Sequence, residues 1–399
     1  MNTKKFNTEK QRNTLKRKTV VETFRRSPFS VFRFPFSFLP FPVSRFLFPI
    51  SCLLLFTISS LNAEIRAIWV PIWDLKTPEE IDVLIEDVHK NGLNQILAEV
   101  RYRGDALYFP NKKDSTYPNP EKRSYVLQDT LFDPLEYLIK KAKANKIEVH
   151  AWLTMYVVTP HKLENIHPEH IYFLHPEWIT ADFTGEKMPN DILEGAYLDP
   201  GIPEVQEYLF NVVMDIALNY EIDGIQLDYI RYPDREFGYN EIAYQKYREE
   251  MKFQDAESWQ DWKKNQISNF VKRLYNGIKS VSSNTELTAA VISKPGKAEN
   301  IYSQNWKEWL QEDYIDKVYL MAYQTDKDDF QANIDTVSTF QMNGKIVVGL
   351  RAWSKNCSYS VSKINEKIDI VRKQNFAGIS FFSYSGIKEC GYFNGLSLK

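Results

Sequence analysis

The stretch DGIQLDYIRYP, residues 223–233, reads as a buried parallel strand that runs at once into a polar and aromatic loop. Ile225 and Leu227 alternate with Gln226 and Asp228, so one face is apolar and the other carries an amide and a carboxylate. An acid on the inward face near a strand's C-terminal end, with Tyr229, Arg231 and Tyr232 just beyond, is a candidate active-site floor.

Working outward, seven more apolar runs surround it: 65–73, 94–102, 147–158, 286–293, 316–323, 345–353 and 376–384. Most are separated by amphipathic segments. In TPEEIDVLIEDVHKNG (77–92), Pro78 suits the first helical turn and Gly92 the C-terminal cap. DPLEYLIKKAKANK (133–146) repeats the plan with Asp133 as N-cap. Further helical patterns cover 202–220, 259–281, 304–312, 331–341 and 360–374, and none follows residue 384. Strand alternating with helix eight times predicts an α/β fold, a single-domain (β/α)8 TIM barrel over 64–399. The rival doubly wound sheet wants a Gly-rich turn after its first strand, and WVPIWDLKTP (69–78) has none.

Charge divides the chain. Residues 1–63 carry 11 Lys and Arg against 2 Asp and Glu, so a net charge of −2 overall leaves −11 for the rest. An acidic body argues against a nucleic-acid partner. The basic head ends in FLFPISCLLLFTISSLNA (46–63), which fits a secretory signal cleaved before Glu64. The expected location is therefore periplasmic or extracellular, without a membrane partner after cleavage. The alternative is an uncleaved anchor, for which the apolar run is short. Cys357 and Cys390 are the cysteines after residue 63; pairing and two buried thiols both remain open.

In such a barrel the chemistry sits at the C-terminal strand ends. Alternation places Leu97, Glu99 and Arg101 inward on the second strand, and His150, Trp152 and Thr154 on the third. Gln226 and Asp228 face in on the fourth, Tyr319, Met321 and Tyr323 on the sixth, Gly349 and Arg351 on the seventh, and Ser380, Phe382 and Tyr384 on the eighth. The loops at 103–132, 159–201 and 231–251 are long and adjacent, enough for one wall of a cleft. Carboxylates, guanidiniums and aromatic rings gathered at one mouth fit a sugar, whose faces stack on rings and whose acetal bond two carboxyl groups can cleave. Asp228 and Glu99 are the expected catalytic pair. Bland rivals are an Asp228 ion pair with Arg231 or Arg101, and a Glu99 ion pair with Arg101 or Arg66. Expected sugar contacts are Arg101, Tyr102, His150, Trp152, Tyr156, Asp199, Gln226, Tyr229, Arg231, Tyr232, Tyr323 and Arg351. His161, His167, His170 and His175 are irregularly spaced among prolines, so no metal site or other cofactor is expected.

EIRAIWVPIW (64–73), LAEVRYRGDALYFP (97–110), VHAWLTMYVV (149–158), HPEW (175–178), YLDPGIPEVQEYL (197–209) and DGIQLDYIRYP together resemble the glycosyl-hydrolase-like family 10 domain of exported bacterial proteins. The resemblance runs from about Glu64 to Tyr384. It implies a (β/α)8 barrel acting on, or binding, polysaccharide, with cell-wall glycan as the first substrate expected. The fourth strand is also similar to that of chitinase-type barrels, but Ile230 stands where their acidic Glu would be. α-Amylase-type barrels place a nucleophilic Asp where Asp228 stands, yet their fifth-strand Glu has no counterpart in AAVISKP (289–295). The proton donor must then come from elsewhere, and the loop acids Asp182, Glu177 and Asp199 stand beside Glu99 as candidates. A non-catalytic carbohydrate-binding barrel is the reading from another class.

Overall fold

The computed structural model describes residues 63–398, so the signal-like segment, all but its last residue Ala63, lies outside the described residues. Eight parallel strands form a closed barrel: β1 (Ile65–Val70), β2 (Gln95–Tyr102), β3 (Glu148–Thr154), β4 (Gly224–Asp228), β5 (Glu286–Ile292), β6 (Lys317–Ala322), β7 (Ile346–Arg351) and β8 (Gly378–Phe382). Each pairs with its sequence neighbours, and β8 closes on β1 through Ile65 opposite Gly378. The eight apolar runs are thus the eight strands.

The first two helices end as their residues dictate. Thr77 accepts the amide of Glu80 at 3.2 Å at the start of the helix Pro78–Lys90, and Gly92 follows its end with φ of +73°. Asp133 caps Pro134–Ala144 by accepting the Glu136 amide at 3.1 Å. Between helices and sheet lies the main apolar core, which includes Ile96, Ala98, Val149, Ala151, Leu153, Ile225 and Leu227. A smaller core fills the barrel itself, built from Ala67, Trp69, Leu97, Trp152, Ala290, Tyr319 and Val347.

Three expectations are corrected. The stretch 231–251 is not all loop, because Glu241–Glu250 is a helix capped by the Asn240 side chain. The chain does not trail off after β8: Tyr384–Cys390 forms a short helix, ended by Gly391 at φ +63°. That helix turns Tyr384 away from the barrel interior, where its hydroxyl donates to Asp87 Oδ2 at 2.7 Å. Cys357 and Cys390 are disulfide-bonded, which ties the loop after β7 to this last helix.

Candidate active site

β4 ends on Asp228, and the next residue, Tyr229, adopts φ of +50°. That left-handed turn is costly for a side chain with a Cβ and marks the point where the strand breaks away from the sheet. Asp228 is 8 % exposed and held at both oxygens. Trp152 Nε1 donates to Oδ2 at 3.0 Å, and the Tyr229 amide donates to Oδ1 at 2.7 Å. Burial pushes its carboxyl up to about 6, against the opposing pull of the Tyr229 amide, Arg231 and Trp152.

Glu99, on β2, is 5 % exposed, and its Oε2 accepts the backbone amide of Ile72 at 3.1 Å. Burial, reinforced by repulsion from Asp228, pushes it up to about 8, although the Ile72 amide and Arg103 act the other way. Both carboxyl groups line one cavity of about 390 Å3 at the C-terminal end of the strands. Near pH 7 the arrangement holds Asp228 mostly ionised and Glu99 mostly protonated. Two acids whose surroundings drive them apart in this way supply a proton donor and an anion in one place. The expected rival ion pairs are not formed, since Arg66 pairs with Glu64, Arg101 with Glu121 and Arg231 with Glu194.

The cavity has an aromatic lining of Trp69, Trp152, Tyr323, Trp353 and Phe382, set edge to face. The Tyr323–Trp353 and Trp353–Phe382 centroids are 5.0 and 5.5 Å apart. Ala290, Ile292 and Met321 add an aliphatic wall. The polar side is tied together by loops. Glu194 Oε1 accepts from Arg231 Nη2 at 3.0 Å, and its Oε2 accepts from the Tyr197 hydroxyl at 3.1 Å. Arg231 is itself packed over the rings of Tyr302 and Tyr229. Arg103 donates to the carbonyls of Thr159 and Glu194, which joins the loop after β2 to the loop after β3.

Of the expected catalytic and sugar-contact residues, Glu99, Trp152, Asp228, Tyr229, Arg231 and Tyr323 meet at the cavity, joined by the inward-facing Thr154, Met321 and Phe382. The other expected contacts do not reach it. Arg101 was expected inward, but the β2–β3 pairing shifts register between Glu99 and Arg101. Its guanidinium is fully buried instead, paired with Glu121 at 2.7 Å and bonded to the Thr154 and Met155 carbonyls. His150 and Gln226 point inward but lie deeper, bonded to Gln95 and Thr288 respectively. Tyr156 and Tyr232 are fully buried in the main core. Asp199 is buried too, holding the Thr180 hydroxyl at 2.8 Å and the Gly201 amide at 2.9 Å.

Tyr102 is half-buried beside Trp73, outside the cavity proper, and Arg351 stacks on the Trp353 ring at 4.5 Å. Asp182 closes its own turn at Thr184, and Glu177 bonds His175, so neither loop acid reaches the cavity. The loop histidines serve their loops: His170 caps a short helix and contacts the Arg103 carbonyl, and His161 bonds the Leu193 carbonyl.

Sequence reading missed Trp69, Arg103, Glu194 and Trp353. Trp69 was within reach, because Ala67 and Trp69 alternate with the outward Ile68 and Val70. Glu194 and Arg103 sit in loops, where no periodicity applies.

The glycosyl hydrolase-like 10 family matches residues 64–372, and the chain belongs to that family. It is 26 % identical over 238 residues to glycosyl hydrolase YngK of Bacillus subtilis, covering 55 % of this chain and 43 % of that protein. Against glycosyl hydrolase DigH of Escherichia coli K12 it is 26 % identical over 216 residues, covering 51 % and 45 %. The matches thus span less than half the length of these curated relatives. In fold it is similar to the glycoside hydrolase domain of PgaB (BpsB) from Bordetella bronchiseptica, with TM-score 0.64, 14 % identity, and 83 % and 97 % of the two chains covered. The catalytic domain of β-amylase from Paenibacillus polymyxa gives TM-score 0.54 and 11 % identity over 82 % and 94 %.

Proposed function

From membership of the glycosyl hydrolase-like 10 family, we propose that this barrel is an exported glycoside hydrolase that cleaves a polysaccharide, with bacterial cell-wall glycan as its first substrate. The observation that carries the reading is the shared cavity of Glu99 and Asp228, with their ionisation driven apart inside an aromatic lining. Glu99 gives its proton to the glycosidic oxygen as the bond to the anomeric carbon breaks. Asp228, ionised and aimed by Trp152 and the Tyr229 amide, meets the positive charge that develops on that carbon. It does so as nucleophile or as base towards water, and the anomeric configuration of the first product distinguishes the two. Tyr323 and Trp353, over a floor that includes Trp69 and Trp152, stack on sugar faces, while Arg103, Arg231 and Glu194 bind hydroxyls.

Two relatives bear the name glycosyl hydrolase, which supports an enzymatic role. Export is supported by the signal-like run at 46–63 and by the Cys357–Cys390 bond, which suits an oxidising compartment. The test is release of reducing ends from a panel that includes peptide-free peptidoglycan glycan strands, by the wild-type chain and by Asp228→Asn and Glu99→Gln. Cleavage that both substitutions abolish is the expected result. Binding without cleavage by wild type would instead identify a carbohydrate-binding barrel.

A further inference from the structure

We propose that Trp73 and Tyr102 form an outer sugar subsite, on the leaving-group side of the scissile bond, for the chain that threads the catalytic cavity. The inference rests on the glycan-cleaving reading and deepens it, because it makes the substrate a polymer longer than the cavity alone can hold.

Trp73 carries the argument. It is 47 % exposed, whereas the other described tryptophans are buried or half-buried. A single exposed apolar side chain needs no explanation, but this one is fixed from both sides. Ile72, fully buried, donates its amide to Glu99, and Asp74 accepts the hydroxyl of Ser385 from the last helix. The short 3-10 turn Ile72–Asp74 thus presents an indole whose neighbours are anchored while its own surface stays open. A platform ordered before its ligand arrives loses little entropy on binding.

Tyr102 extends it. Its ring lies 5.7 Å from Trp73, edge to face, and the Arg103 guanidinium sits 5.1 Å above Tyr102. Pro71 and Arg103, chain neighbours of this pair, both line the catalytic cavity, which sets the aromatic pair beside it. The side of the bond follows from Glu99. The amide that holds this proton donor belongs to the residue immediately before Trp73, and the donor protonates the oxygen of the departing sugar. A ring on Trp73 is therefore on the departing side.

The experiment uses the full chain carrying Asp228→Asn and peptide-free peptidoglycan glycan strands graded from disaccharide to octasaccharide, with affinity measured by calorimetry. Adding Trp73→Ala is expected to weaken binding by a factor that grows with chain length, to about tenfold for the longest strands. Trp73→Phe recovers most of the loss. Tyr102→Ala loses about threefold by the same measure. Equal affinities with and without the Trp73 change, including no binding by either, or a loss independent of length, overturn the subsite. With Asp228 restored, Trp73→Ala is expected to shift the cut position on a reducing-end-labelled octasaccharide. An unchanged cut site overturns the leaving-group assignment. If wild type cleaves nothing, the glycosidase reading fails, yet the length series still decides the subsite.

Discussion

The barrel interior holds two polar layers that share strands and differ in what they can do. In the lower layer, Gln95, His150, Gln226, Thr288 and Tyr319 bond mainly to one another: Gln95 Nε2 meets His150 Nε2 at 3.0 Å, Tyr319 donates to Gln95, and Thr288 donates to Gln226. Burial drives His150 down to about 3, so it stays neutral. Two residues further along β4, Asp228 has left this closed network and opens into the cavity, as does Glu99 on β2. A step of roughly 6–7 Å along a strand separates a polar group used for packing from one available to a ligand. Buried polarity therefore does not mark a site by itself. An ionisable group does so when it faces empty volume, as Asp228 does although both its oxygens accept hydrogen bonds.

The most severe way to break this contrast is Asp228→Asn, which removes the charge and keeps an acceptor oxygen for only one of the two donors, the Trp152 indole and the Tyr229 amide. We expect kcat to fall about 1,000-fold or more, measured as reducing-end release, with the fold intact by circular dichroism. Glu99→Gln is expected to lower kcat about 100-fold or more. It also has an opposite effect on stability. Glu99 holds its proton in the folded protein up to about 8, while the unfolded chain releases it near 4.5. Unfolding therefore sheds a proton between those values, and wild-type stability falls as pH rises through that window. Glu99→Gln should remove this loss. Its gain over wild type in denaturant titrations should be roughly 4 kcal/mol at pH 8 and near zero at pH 4. His150→Ala, in the closed layer, should act the other way round. We expect a loss of stability of about 2–4 kcal/mol from the cavity and the stranded Gln95 amide, with only a small change in kcat at optimum pH.

The sequence made the barrel legible because period two and period 3.6 alternate cleanly, and capping residues such as Thr77, Asp133 and Gly92 stand where the helices begin and end. It also placed Glu99 and Asp228 on the inward face. Arg101 shows where alternation stops working. One register shift in β2 turned a side chain expected at the mouth into a buried partner of Glu121. Glu194 and Arg103 were out of reach for another reason, since loop side chains are placed by long-range bonds such as Arg231 to Glu194. The Cys357–Cys390 bond belongs with them, because it depends on the loop after β7 meeting the last helix across 33 residues of sequence. The helix at Glu241–Glu250 was hidden by a weak apolar face, which buries only Ala243 and Tyr247.

The central claim is that Glu99 works as the acid and Asp228 as the anion. The measurement closest to it is the pH dependence of kcat/KM on a glycan that the wild-type chain cleaves. Activity requires Asp228 ionised, hence pH above about 6, and Glu99 protonated, hence pH below about 8. The account predicts a bell between those limbs, with the alkaline limb lost from the residual activity of Glu99→Gln. A wild-type alkaline limb that persists unchanged in Glu99→Gln would contradict it.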